Sequence, residues 1–223
     1  MHLCLVLVDE SLTPDDFSEV VKAKVPAVVI SPLGSSLMFD MAGDDDIGGG
    51  RLAGEHLLSL GHERIGYALF GEGRSTSSLR QQGFEQALAQ RGLKLADRDI
   101  ACLPARDLNR EALFVDDLRR ILSRPDRPTA FFASTDVLAA HTYGVARELG
   151  LRIPHDLSVV GYANLSFAQY VDPPLTTIRQ DGRELGRRAA ALILNRLHNP
   201  TAPRQDVVVP TELIVRASTA ACG

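Results

Sequence analysis

The chain has no tryptophan and three cysteines, and of its 24 basic residues only Lys22, Lys24 and Lys94 are lysines. Each shortage excludes something. Cys4, Cys102 and Cys222 are too scattered for a metal-ligand cluster. An odd, dispersed set also argues against a disulfide framework and for free thiols in a reducing compartment. The net charge is −4, so the chain lacks the concentrated basic face that nucleic-acid phosphates require. The preference for Arg over Lys reads as overall composition rather than recognition. Long apolar runs are missing too. The opening "MHLCLVLVDE" holds six consecutive apolar residues and no basic lead-in, too little for a membrane span or a secretory signal. The expected location is the cytoplasm, with no membrane partner. No HExxH, CxxC, Walker or GxSxG motif occurs, so neither an enzyme nor a cofactor is implied.

What is present is alternation. The 223 residues suit one large α/β domain or two small lobes. Strands are expected at Leu3–Val8, Pro26–Ser31, "RIGYALF", Asp99–Leu103, "PTAFFAS", "LSVVGYA", "DVVVP" and "ELIVRAST". Between them lie helical patterns. One starts at Thr13-Pro14-Asp15-Asp16, with a Thr cap, Pro at the first helical position and acids in the first turn. Others run from about Gly49 to Leu60, from about Ser75 to Gly92, over Arg110–Leu122, from a cap at Asp136 to Leu149, and over Asp181–Leu197. Nearly unbroken apolar strands alternating with helices are the signature of parallel sheets covered on both faces. The acidic run in "GDDDIGGG" invites a metal reading, but such runs are usually solvated, and no metal site is expected.

Several segments carry a resemblance. They are "GGRLAGEHLLSLGHERIGYALFG" (Gly49–Gly71), "SSLRQQGFEQAL" (Ser77–Leu88), "PTAFFASTDVLA" (Pro128–Ala139), "GLRIPHDLSVVGYAN" (Gly150–Asn164), "DPPLTTIRQDGRELGRRAA" (Asp172–Ala190) and "ELIVRAST" (Glu212–Thr219). In this order the set resembles the effector-binding core of the LacI/GalR family of transcription repressors. The resemblance implies the periplasmic-binding-protein-like type I fold. In that fold two Rossmann-like lobes are joined by three crossovers and hold a small-molecule effector. The first lobe would comprise residues 1–44 and 180–203, and the second residues 45–179 and 204–223. "LTTIRQD" would be the second crossover: β-branched Thr176, Thr177 and Ile178 favour extension, and Pro173 and Pro174 stiffen the entry. The family's helix-turn-helix headpiece and the first two strand–helix units of the first lobe have no counterpart here. The expectation is an N-terminally truncated chain with an incomplete first lobe, reaching DNA only through a headpiece it does not contain.

The resemblance also assigns residues. Arg80, one turn before Gly83-Phe84, matches the family's effector-contacting arginine, whose fork can grip hydroxyls or a carboxylate. Thr135 ends a strand where open α/β sheets bind ligands, and Ser31 is placed like a first-lobe contact. Arg74 and Thr76 open the helix that carries Arg80. "GYAN" departs from the family's "GYD": Ala163 replaces an effector-bonding Asp and accepts no hydrogen bond, which leaves Asn164 as the polar substitute. Gly182 stands where an aromatic platform is common. Ala140, Tyr143, Phe167, Tyr170 and Val171 match the family's dimer surface, implying a homodimer. The resulting reading is the sensing and dimerisation core of a LacI-type regulator, with a sugar or related metabolite as effector. A free-standing solute-binding protein and a truncated, non-binding relic remain the alternatives.

Overall fold

The computed structural model describes residues 5–8, 18–30, 39–71, 76–103 and 111–223. The expected helix start at Thr13–Asp16, and the site candidates Ser31 and Arg74, lie outside them. In chain order the strands are β1 (Leu5–Val8), β2 (Ala27–Ile30), β3 (Asp40–Asp44), β4 (Ile65–Phe70), β5 (Ile100–Leu103), β6 (Ala130–Ala133), β7 (Ser158–Ala163), β8 (Thr176–Arg179), β9 (Asp206–Val209) and β10 (Glu212–Ile214). The helices are α1 (Ser18–Lys22), α2 (Asp46–Ser59), α3 (Thr76–Gln90), α4 (Glu111–Leu122), α5 (Asp136–Glu148) and α6 (Gly182–His198). No helix among the described residues is long and apolar enough to cross a membrane.

The chain divides into two compact units, residues 1–45 with 181–210 and residues 46–180 with 211–223, so it passes from one to the other three times. The first unit holds a parallel sheet in the order β1-β2-β3-β9. β9 joins it by pairing Met41 with Asp206 through Asp44 with Val209. Residues 204–210 therefore belong to the first unit, not to the second as the sequence implied. Ala189, Leu192 and Ile193 of α6 pack against Val28 and Ala42 of that sheet.

The second unit's sheet runs β10-β8-β7-β6-β4-β5. All its pairings are parallel except β10 on β8, where the returning tail makes an antiparallel edge that the parallel pattern did not announce. Side-chain alternation splits the core in two. Ala68, Phe131 and Val159 face one layer, with Phe114 and Leu118 of α4 and Leu138 of α5. Tyr67, Phe132 and Val160 face the other, with Leu57 of α2 and Phe84 of α3. Both faces are covered, which is why these strands read as unbroken apolar runs.

α2 begins three residues earlier than the glycine run suggested. Glycines are poor helix formers, but here packing decides. A Cβ on Gly50 would lie 1.9 Å from the Arg80 carbonyl oxygen, and one on Gly83 would lie 1.8 Å from that of Ile47. The two helices touch backbone to backbone, and only glycine permits it. We expect Gly83→Ala to lower the unfolding free energy by about 1–3 kcal/mol or more. Gly144→Ala, on α5 with open space around it, should raise it by roughly 0.5–1 kcal/mol. Urea denaturation of the two variants checks both signs.

The C-terminal tail is stitched to this unit through histidines. Buried His62 meets the Thr129 hydroxyl at Nδ1 (3.0 Å), and its Nε2 lies 3.1 Å from both the Ser158 hydroxyl and the Ala220 carbonyl. His56 Nε2 pairs with the Thr219 hydroxyl at 3.0 Å. Burial pushes both imidazoles below their ordinary pKa; each histidine adds a minor influence, a repulsion by His62 on His56 and a counteracting carbonyl of Ala220 on His62. The unfolded chain therefore takes up these protons first. Their contribution to stability is intact above the ordinary histidine pKa of about 6.5 and is lost as pH falls below it. Thermal melts from pH 8 to pH 5 should show Tm falling through that window, with a shallower fall in the His56→Gln/His62→Gln variant.

Candidate functional site

In open α/β sheets ligands bind at the carboxyl ends of the strands. In the second unit these ends, for the parallel strands, are Phe70, Leu103, Ala133, Ala163 and Arg179. The helix contact described above brings α3 across α2 there, and with it Arg80. Its residue is 5% exposed. Nε donates to Asp46 Oδ1 at 2.8 Å and Nη1 to the Ser134 carbonyl at 2.7 Å. Cζ sits 3.7 Å over the Tyr162 ring, a cation–π contact. The Tyr162 hydroxyl donates to the same Asp46 oxygen at 3.2 Å. Burial opposes the guanidinium's charge, but Asp46 and Tyr162 outweigh it and hold its pKa above the ordinary value. Nη2 is left without a protein hydrogen bond among the described residues.

Arg80 rests on an aromatic floor. Tyr67, Phe84, Phe132 and Tyr162 form a chain of rings with centroids 5.2–6.5 Å apart. The Tyr67 hydroxyl donates to the Ser77 carbonyl at 2.7 Å, and the Ser77 hydroxyl to Ser134 Oγ at 3.0 Å. Burial raises the Tyr67 pKa far above the usual phenol range, the positive charge of Arg80 only partly opposing it. The phenol is thus a fixed donor, not an acid.

Thr135 adjoins Ser134 and caps α5, its hydroxyl accepting from the Leu138 N–H at 3.2 Å. Sequence pattern alone places that cap at Asp136. The structure turns Asp136 inward instead, where its carboxylate accepts from the Thr177 hydroxyl and the Leu165 N–H, each at 2.6 Å. Burial raises its pKa, and these hydrogen bonds work against the rise. Thr76 is the first residue of α3 and is half-buried. Ala163 ends β7 with φ +105° and Asn164 follows at φ +55°. The Asn164 side-chain oxygen accepts from Arg216 Nη2 at 2.7 Å, so that oxygen is already held by the protein. Gly182 opens α6 in the first unit, with open space among the described residues where a Cβ would stand.

Among the expected dimer residues, Ala140 is exposed and Tyr170 is 80% exposed. Tyr143, Phe167 and Val171 are half-buried, and Tyr143 donates its hydroxyl to the Pro173 carbonyl at 2.9 Å. Sequence reasoning missed Asp46 and Tyr162 as partners of Arg80. It read Asp46 only as part of an acidic loop and Tyr162 only as part of "GYAN". Among the described residues no group of three His, Cys, Asp or Glu side chains is arranged to hold a metal.

The profile of the periplasmic binding protein-like domain matches residues 55–219, about three quarters of the chain. A LacI family transcriptional regulator from Enterococcus faecium, solved with bound ribose, superposes with a TM-score of 0.83 at 30% identity, covering 98% of this chain and 80% of that one. The chain belongs to the LacI family. It is the family's effector-binding domain, with the periplasmic binding protein-like α/β fold. The cellobiose complex of the transcriptional regulator CelR also superposes on it, with a TM-score of 0.82 at 30% identity over 96% of this chain and 65% of that one. The HTH-type transcriptional repressor PurR of Mannheimia succiniciproducens is 34% identical over 184 residues, 80% of this chain and 52% of that protein. The chain spans about half the length of the curated relatives it matches. These relatives are named as transcription regulators, not enzymes.

The Arg80–Asp46 pair sets a stability test. Both side chains are under 7% exposed, and removing one partner of such a pair strands the other charge. Asp46→Ala should cost about 3–5 kcal/mol. The double variant Asp46→Leu/Arg80→Met, which removes both charges, should recover most of it in guanidinium denaturation.

Proposed function

We propose that this LacI-family domain senses a small hydroxyl-rich metabolite, of the sugar class, at the carboxyl end of the second unit's sheet. The observation that carries the reading is the buried, pre-aligned Arg80, fixed through two nitrogens and the Tyr162 ring while Nη2 has no hydrogen-bond partner among the described residues. A rigid guanidinium with a spare donor is a pre-organised ligand grip. Thr135 caps the next helix directly after Ser134, and Thr76 opens the helix that carries Arg80. Ala163 supplies shape but no acceptor. The ribose and cellobiose held by two structural neighbours support a sugar over other metabolites.

The same reading makes the domain half of a homodimer. The segment from Leu165 to Pro173 is joined to α5 through the Leu165–Asp136 and Tyr143–Pro173 hydrogen bonds. Around it Val137, Leu165 and Tyr170 are exposed at 48%, 40% and 80%, and Ala140 lies one turn from Val137. Exposed apolar and aromatic groups in one place favour a protein partner. DNA would be reached through a headpiece of the whole regulator, in the cytoplasm, as a repressor.

The test is a thermal-shift screen against pentoses, hexoses, disaccharides, sugar phosphates and nucleobases. A ligand at 100 times its Kd should stabilise the fold by about 2.7 kcal/mol. That gain should vanish in the Asp46→Leu/Arg80→Met variant. Sedimentation should give a dimer that Tyr170→Arg converts to monomer. A folded chain that binds none of these classes, or one whose ligand still binds the double variant, overturns the reading.

A further inference from the structure

The hydrogen-bonding groups at the carboxyl end of the second unit's sheet are unequally used. The acceptors are spent. Asp46 is buried, and its Oδ1 takes both Arg80 Nε and the Tyr162 hydroxyl. Asp136 is fully buried, and its two oxygens take the Thr177 hydroxyl and the Leu165 N–H. Glu212, opposite the last residue of β8, is paired with Arg179. The Ser134 carbonyl takes Arg80 Nη1. The Asn164 side-chain oxygen takes Arg216 Nη2, and Thr135 Oγ1 takes the Leu138 N–H. Ala163, which ends β7, has no polar side-chain atom to add.

The donors are not spent. Arg80 Nη2 has no hydrogen-bond partner among the described residues. It is not one of their buried orphan nitrogens, which belong to Arg124 and Arg204. Nη2 therefore reaches open space although the rest of its side chain is enclosed. The half-buried Asn164 makes no hydrogen bond through its side-chain nitrogen among the described residues. Thr135 has accepted at its oxygen and still has a hydroxyl hydrogen to give. The side-chain charges are matched: Arg80 answers Asp46, Arg179 answers Glu212, and Arg216 and Asp136 hold the two sides of the Asn164–Leu165 turn. What is left over is the positive end of the peptide dipoles of α3 and α5, which both start at this end of the sheet.

We propose that the effector presents a carboxylate to the ends of β6 and β7, and so is a sugar acid and not a neutral sugar. This inference rests on the sugar reading above and narrows it. A ligand hydroxyl facing these groups would find donors for its oxygen and nothing for its hydrogen, and an unanswered buried hydroxyl is costly. A carboxylate carries acceptors only. It would take Arg80 Nη2, the Thr135 hydroxyl and the Asn164 amide in charge-assisted bonds. With the side-chain charges already matched, one negative charge suits the helix ends better than the nearly double charge of a phosphate ester. Ala163 is then the specificity-determining position, because a carboxylate there would repel that of the ligand.

The experiment is isothermal titration calorimetry of the chain with aldonates and hexuronates, each set against its parent aldose and the corresponding aldose phosphate. The expected result is a sugar acid that binds about tenfold or more tightly than both. Ala163→Asp should reverse the order and favour the aldose. Asn164→Asp keeps an oxygen for Arg216 and removes the donating nitrogen. It should weaken the acid about tenfold, and it tests the site even if Ala163→Asp disturbs the fold. An aldose or a phosphate that binds as tightly as its acid overturns the proposal and leaves the sugar reading standing. An acid whose affinity is unchanged in Asn164→Asp also overturns it. Binding by no member of the panel overturns both.

Discussion

The contact on which the functional end of this domain depends is between two backbones. Gly50 lies against the carbonyl of Arg80, and Gly83 lies against the carbonyl of Ile47. Any side chain at either glycine would push α2 and α3 apart. Gly54 extends the seam, its missing Cβ leaving room for Ala87 and Phe84. A helix with three successive glycines is intrinsically weak. It is stable here because close approach lets the helices bury Ala53, Leu57, Phe84 and Leu88 in one layer with the sheet. The functional result is positional. Asp46, the first residue of α2, and Arg80, in the second turn of α3, meet at 2.8 Å because the helices cross at their glycines.

Once the pair meets, the surroundings make it rigid. An isolated guanidinium would not remain in this aromatic layer, because the cost of desolvating it is large. Asp46 supplies the countercharge, the Ser134 carbonyl a second acceptor and Tyr162 a π-face. Tyr162 does two jobs, since its hydroxyl also orients the carboxylate. Its neighbour Gly161 is needed as well: a Cβ there would lie 2.3 Å from Asp136 Oδ1. Three consecutive positions of β7 thus serve three ends, with Gly161 clearing Asp136, Tyr162 supporting Arg80 and Ala163 closing the strand.

Much of this was legible in the sequence, and the limits have physical causes. Apart from β3, where the sequence offered no strand signal, strand and helix positions followed from local periodicity and end signals: Gly92 closes α3 at φ +70° and Asp181 caps α6 through the Glu184 N–H. The family followed from motifs spread along most of the chain. Arg80 was singled out, but its partners were not, because Asp46 lies 34 residues before it and Tyr162 lies 116 residues after Asp46, on the far side of Arg80, and no local pattern joins them. The start of α2 was misplaced for the same reason, since a tertiary contact overrode helix propensity. Thr135 and Asp136 exchanged their expected roles. Either residue type caps a helix well, and only the folded sheet brings Thr177 and Leu165 to Asp136. The pairing of β9 with β3 also lies beyond local pattern, which is why residues 204–210 were assigned to the wrong unit.

The turn after β7 separates shape from chemistry. Ala163 at φ +105° occupies a conformation that costs a non-glycine residue on the order of 1–3 kcal/mol. Nothing in its methyl group offsets that cost. The offset comes from around it: Asp136 holds the Leu165 N–H, Thr177 Oγ1 accepts from the Asn164 N–H at 3.3 Å, and Arg216 holds the Asn164 side chain. The backbone at the strand's end is therefore set by residues that lie to either side of position 163 and not by its side chain. A carboxylate, an amide or a methyl group would be presented there on the same frame. On the reading proposed above, this position can change what a ligand finds without disturbing Arg80, Asp46 or the segment from Leu165 to Val171, and alanine in this chain is one setting of that variable.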